Sequence, residues 1–177
     1  MTAFIRRVLG ALGLDSAIFE EVEADRSATG QAMLVVMLAS IGAGIGNSGI
    51  GASAVAPIVY GSVASLLAWA TWAALIYYLG TRVMPESTTR ADFGEVLRTL
   101  GFAAAPGMFR AFEVLGGTRW LVLPITSVWM LAAMTIGVRQ ALDYSTTGRA
   151  LALAALGWGV ALAVAIGVGL LFSTPVS

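Results

Sequence analysis

Residues Asp92 to Glu113 read DFGEVLRTLGFAAAPGMFRAFE, a stretch in which charges bracket an apolar centre holding Pro106 and Gly107. On a helix turning about 100° per residue, Asp92, Glu95, Arg98, Thr99, Arg110 and Glu113 fall within roughly 60° of one line. One face is therefore polar at both ends. Glu95 and Glu113 stand 18 positions apart, about 27 Å of α-helix, close to the thickness of a bilayer's hydrocarbon core. The uninterrupted apolar run, Thr99 to Phe109, is only 11 residues, against the roughly 20 that a spanning helix needs. Taken alone, the stretch can span, tilt or dip into a membrane, so its neighbours must decide.

Composition sets the class. The chain has 177 residues, 58% of them hydrophobic and 11% charged, where a soluble domain carries about 25% charge. This is the balance of an all-α integral membrane protein. The net charge is zero, so nothing suggests a nucleic-acid footprint. There is no Cys, His or Lys, and all ten basic residues are Arg. Disulfides, thiolate nucleophiles and thiol-ligated zinc are excluded, and the commonest general base and metal ligand is missing. No catalytic residue, cofactor site or metal site is assigned. An Arg-only basic set beside abundant Ala and Gly points to a GC-rich bacterial genome and an inner membrane.

Outward from the opening stretch, the N-terminal MTAFIRRVLGALGL places Phe4, Val8, Ala11 and Leu12 on one face with Arg6 and Arg7 beside them, the pattern of a short interfacial amphipathic helix. A twin-arginine-like signal is the competing reading, but the apolar run meets Asp15 and an acidic segment where a small-residue cleavage site belongs. Asp15 to Arg26 reads as a second amphipathic stretch or linker at the surface. Ser27 to Thr81 is a run of 55 residues without a charge. As one helix it would be about 80 Å long, so it must fold back. The turn is placed at Gly46 to Gly51, GNSGIG.

That turn contains a GxGxxG match and the GxSG of rhomboid-type proteases. The first follows no strand, and the second lacks the His its Ser needs. Close helix packing is the better account, with Gly42 and Gly46 as a GxxxG pair. Beyond the opening stretch, Trp120 to Val138 is a clean apolar span, and Ala150 to Phe172 carries a small-residue row at Gly159, Ala163 and Gly167.

The expected organisation is a cytoplasmic N-terminal segment over 1–30, a membrane domain over 31–173 and a tail over 174–177. Helices are expected at about 31–46, 55–79, 94–114, 120–138 and 150–172, five spans in all. With the N-terminus in the cytoplasm, eight of the ten arginines face inward, as the positive-inside rule asks. A four-span model in which the opening stretch dips and returns gives the same eight, so charge counting does not separate the two.

The segment EVLRTLGFAAAPGMFRAFE, with Trp129 and the Gly137-Val138-Arg139 exit, resembles the Yip-one (Ypt-interacting protein) domain family of polytopic membrane proteins. The resemblance implies five membrane helices, a cytoplasmic N-terminus and an exported C-terminus. The eukaryotic members carry an Asp-Leu-Tyr-Gly-Pro motif that has no equivalent here, and Gly101-Phe102 stands where they often have Gly-Tyr. With only about 30 residues before the first membrane helix and a bacterial composition, their small GTPase partner is not carried over. The expected function is that of a non-enzymatic protein that organises the membrane through lipids, a second copy or other membrane proteins. The alternative is a small transporter or lipid-moving protein using the helix broken at Pro106 and Gly107. Asp92, Glu95, Arg98, Arg110, Glu113 and Arg139 form the candidate charge network. Within it, Glu95 is expected to pair with Arg98, Arg110 with Glu113, and Arg139 with Glu95 or Asp92.

Overall fold

The computed structural model describes residues 2–48, 55–115 and 117–172, and among these every regular element is helical. The α-helices are α1 (Ala3–Leu12), α2 (Ser16–Ala24), α3 (Ala28–Ser48), α4 (Val55–Tyr78), α5 (Phe93–Ala103), α6 (Arg119–Ala141) and α7 (Thr147–Phe172). One wider π turn, Leu79–Val83, prolongs α4, and a 3-10 helix, Ala105–Val114, prolongs α5. Positions 49–51 of the expected glycine-rich turn and the tail lie outside the described residues. Three stretches among the described residues are long and apolar enough to cross a membrane: Ala28–Gly46, Val63–Val83 and Arg119–Ala141. With that length and apolarity repeated, the chain is a multi-pass membrane protein.

The single helix expected over 94–114 is two elements. Asp92 opens α5 with a capping box: its side chain accepts from Gly94 N at 3.1 Å while Glu95 Oε2 accepts from Asp92 N at 2.7 Å. The α-helix then stops at Ala103, ahead of Pro106. A proline there has no N–H to give and its ring crowds the carbonyl four residues back. Near the start of a 3-10 helix the missing N–H costs nothing, and the chain continues tightly wound, Gly107 N donating to Ala104 O at 2.9 Å. A 3-10 helix of ten residues is long for its kind.

What sustains it is α3. Gly101 lies against Ala32, Gly107 against Ala39, Gly42 against the Met108 backbone, and Gly46 against the Arg110 carbonyl. The two segments therefore run side by side in the same direction. Ala32, Ala39 and Gly46 recur every seventh residue, which keeps one seam of a helix facing a near-parallel neighbour. From Ala32 to Gly46 is about 21 Å of α-helix, and the 3-10 rise of about 2.0 Å per residue lets the shorter facing segment keep level. Inside a membrane, helices associate through close van der Waals packing, which small residues permit.

The other helices alternate around this pair. Gly137 of α6 lies against Thr99 while Met130 reaches Gly107, so α6 runs antiparallel to α5. Tyr77 meets Phe93 edge-on at 6.2 Å, and Trp69 Nε1 donates to Leu97 O at 3.0 Å, so α4 is antiparallel to α5 as well. Gly157 of α7 faces Trp72 and Ile76. α5 is the centre: Phe102 belongs to a core shared with α1, α2, α3 and α6, and Leu100 to one shared with α4, α6 and α7. The N-terminal helix does not stand alone. Gly13 and Leu14, the latter at φ 59°, turn α1 back onto α2, and Gly10 against Ile18 brings the two together.

Candidate functional site: charge clusters at the two ends of the broken segment

At the end where α5 begins, Arg98 is almost fully buried and does not pair with Glu95, contrary to expectation. Its Nε donates to Val22 O at 2.9 Å and to Glu23 O at 3.2 Å, and its Nη2 also donates to Glu23 O. These are carbonyls of the last turn of α2, where unpaired C=O groups and the negative end of the helix dipole call for a cation. Glu95 is occupied by the Asp92 amide. Arg139 does not reach Glu95 or Asp92 either. Its Nε donates to Tyr144 O at 3.4 Å and its Nη1 to Thr147 Oγ1 at 3.3 Å, so it closes the turn after its own helix. The local partners of a C-terminal Arg are nearer than another helix.

Beside this lies an ion network that sequence reasoning missed. Arg6 makes two hydrogen bonds of 2.6 Å to Glu21, and the buried Arg7 binds Glu21 at 2.9 Å, Asp25 at 2.6 Å and Gln31 Oε1 at 3.1 Å. Arg6 and its neighbour Arg7 hold Glu21 below the ordinary carboxylate range, and Asp25 is held at about 2 by the Ser27 hydroxyl and by Arg7. The signal was present: two arginines and an acidic segment separated by Gly13. Between α2 and the end of α6, a cleft of about 320 Å³ is lined by Glu20, Glu23, Arg139, Gln140, Asp143 and Tyr144. Burial raises Glu23 to about 7, helped by the nearby charges of Glu95, Asp143 and Glu20. Tyr144 Oη donates to Met84 O at 2.8 Å, and Glu86, lowered first by the Ser145 amide, lies 3.4 Å from Arg149. These contacts tie the loop after α4 to the loop before α7.

At the opposite end, Arg110 Nε lies 2.9 Å from Glu113 Oε1, and Arg119 Nε stands 3.8 Å from Oε2. Arg110 and Glu113 are three apart on a 3-10 helix, where such positions eclipse. The Glu113 side chain is wholly buried, its Oε2 has no hydrogen-bond partner, and Gly46 packs directly on it and on Arg110. The six network residues thus form two separate groups. Pro106 and Gly107 are buried between them against α3. On α7, Gly159 faces open space and Ala163 is exposed, while the surroundings of Gly167 lie outside the described residues. Among the described residues, no three Asp or Glu side chains gather as metal ligands would.

No match to the chain is found among curated proteins or among solved structures. The family model of the Yip1 domain matches residues 15–168, starting at the Asp15 cap of α2 and ending within α7. With that match over all but the first 14 and last nine residues, and with a multi-pass helical fold centred on the segment that carries the likeness, the chain belongs to the Yip1 domain family.

Proposed function

We propose that this chain is a non-enzymatic, five-span protein of a bacterial inner membrane that organises the bilayer by holding lipids, a second copy or other membrane proteins alongside it. The N-terminus is cytoplasmic and the C-terminus exported, with α3, α4, α5 plus the 3-10 helix, α6 and α7 as the spans. The observation that carries this is the alignment of the broken segment with α3. Its contacts advance together from Ala32 to Gly46 and from Gly101 to Arg110, the behaviour of a segment that crosses and not of one that returns. The charges at its ends are also engaged within the protein, Arg98 by backbone carbonyls and Glu113 by two arginines. They act as anchors, and the exposed row at Gly159 and Ala163 is available for lateral contact.

A reporter fused after Ser177, in cytoplasm-active and export-active versions, tests the topology. Export activity is expected, and cytoplasmic activity would sink the five-span reading. The second reading, a transporter or lipid-moving protein, is favoured by one feature, the Oε2 of buried Glu113 at the foot of the 3-10 helix, which accepts no hydrogen bond and has only the longer ion-pair contact to Arg119. Reconstituted vesicles loaded with fluorescent lipid or solute separate the two. The scaffold reading expects no flux above protein-free vesicles.

A further inference from the structure

Trp129 lies near the middle of α6, and its Nε1 donates to Leu12 O at 2.9 Å. The tip of the α1–α2 pair is therefore level with mid-span. The open end of the pair is level with the end of the span, because Phe19 lies against Gly137 and Arg98 holds the carbonyls of Val22 and Glu23. From Trp129 to Arg139 is about 15 Å of helix, half of a hydrocarbon core of about 30 Å. α1 has 10 residues and α2 has 9, about 15 and 14 Å, so the pair has the length that this depth requires.

Its chemistry is graded to match. Arg6, Arg7, Glu21 and Asp25 gather at the open end, and the turn is Gly13-Leu14. Asp15, at the turn, accepts from Ala17 N and so sits on the positive end of α2's dipole. The outer face of α1 presents Ile5 and Leu9, 46% and 52% exposed, one helical turn apart. α2 turns its polar edge the other way, where Glu20 and Glu23 line the cleft.

We propose that α1 and α2 form a half-depth hairpin seated in the cytoplasmic leaflet, with Ile5 and Leu9 against lipid acyl chains. This replaces a helix lying flat on the surface, and it rests on the reading of α6 as a span. The chain contains no cysteine, so single-cysteine spin labels report cleanly. Labels at Leu9→Cys and, independently, Ile5→Cys are compared in phosphatidylcholine–phosphatidylglycerol vesicles with Val128→Cys, exposed on α6, and Arg26→Cys, exposed after α2. Collisions with oxygen and with a water-soluble nickel chelate are measured at each. The hairpin predicts that both α1 labels favour oxygen over nickel several-fold more than the Arg26 label does, the Leu9 label close to the Val128 value and the Ile5 label, about 6 Å nearer the surface, below it. Nickel accessibility at Leu9 and Ile5 equal to that at Arg26 overturns it. Nickel accessibility at Val128 as well would overturn the spanning reading beneath it. Either α1 variant suffices if the other fails to fold.

Discussion

Arg98 holds two backbone carbonyls in the last turn of α2. Arg98→Ala is expected to cost about 2–3 kcal/mol, the scale for stranding buried groups that had a charged partner. Arg98→Lys should recover only part, since an ammonium lacks the planar fork. Thermal unfolding in detergent micelles reads both, and a wild-type midpoint for Arg98→Ala would refute the capping role. Glu23 carries a prediction of the opposite kind. Its folded-state value of about 7 lies above its ordinary 4.5, so the native protein binds the extra proton between those values. Stability contributed by the neutral form is full below pH 4.5 and is lost as pH rises through about 7. Glu23→Gln should therefore be more stable than the parent at pH 8, by on the order of 1 kcal/mol once solvent screening is allowed for, with the gap closing towards pH 4.5. A gap that does not change with pH would contradict this. Glu20, Glu95, Asp143 and the two arginines 98 and 139 surround the group and are left intact in the comparison.

Between elements, the glycines of α3 separate sharply. A Cβ on Gly42 or Gly46 meets backbone atoms of the 3-10 helix, whereas one on Gly44 meets nothing within 4 Å. Gly42→Ala and Gly46→Ala are expected to destabilise by about 1–3 kcal/mol through overpacking, and Gly44→Ala to gain about 0.5–1 kcal/mol from helix propensity. Denaturant titration of the three variants checks the contrast, and equal losses at all three positions would argue against a seam on one face. α5 and α6 behave differently from what local charge suggested. Because Glu95 caps its own helix and Arg139 closes its own turn, the losses from Glu95→Gln and Arg139→Gln should add in the double variant to within about 0.5 kcal/mol. A larger coupling energy would place a bridge between them.

For the molecule as a whole, three stretches able to cross a membrane were legible because a long apolar run leaves a helix few alternatives, and the Arg110–Glu113 pair because its spacing is local. The partners of Arg98 were not legible. They are backbone carbonyls some 75 positions away, and a carbonyl leaves no mark in the sequence. Pro106 announced a break but not the ten-residue 3-10 helix after it, which depends on the facing glycines of α3. The Gly42–Gly46 pair was legible, while Ala32 and Ala39, which extend its seam, look like any alanines. The family match over residues 15–168 also includes α2, which composition alone assigned to a surface segment.

The hydrogen bond between Leu12 and Trp129 joins residues 117 positions apart, and this sets an order of events during synthesis. The helices α1 and α2 rest on two that are made after them, α5 and α6. At about 5–20 residues per second, roughly 6–23 s pass between translation of Leu12 and of Trp129. For that interval α1 and α2 have each other, Gln31 of α3 and then Arg98 of α5, but not the α6 indole that holds their turn. The turn between α1 and α2 is made well before the helix that holds it, so a late step of folding belongs to an early segment.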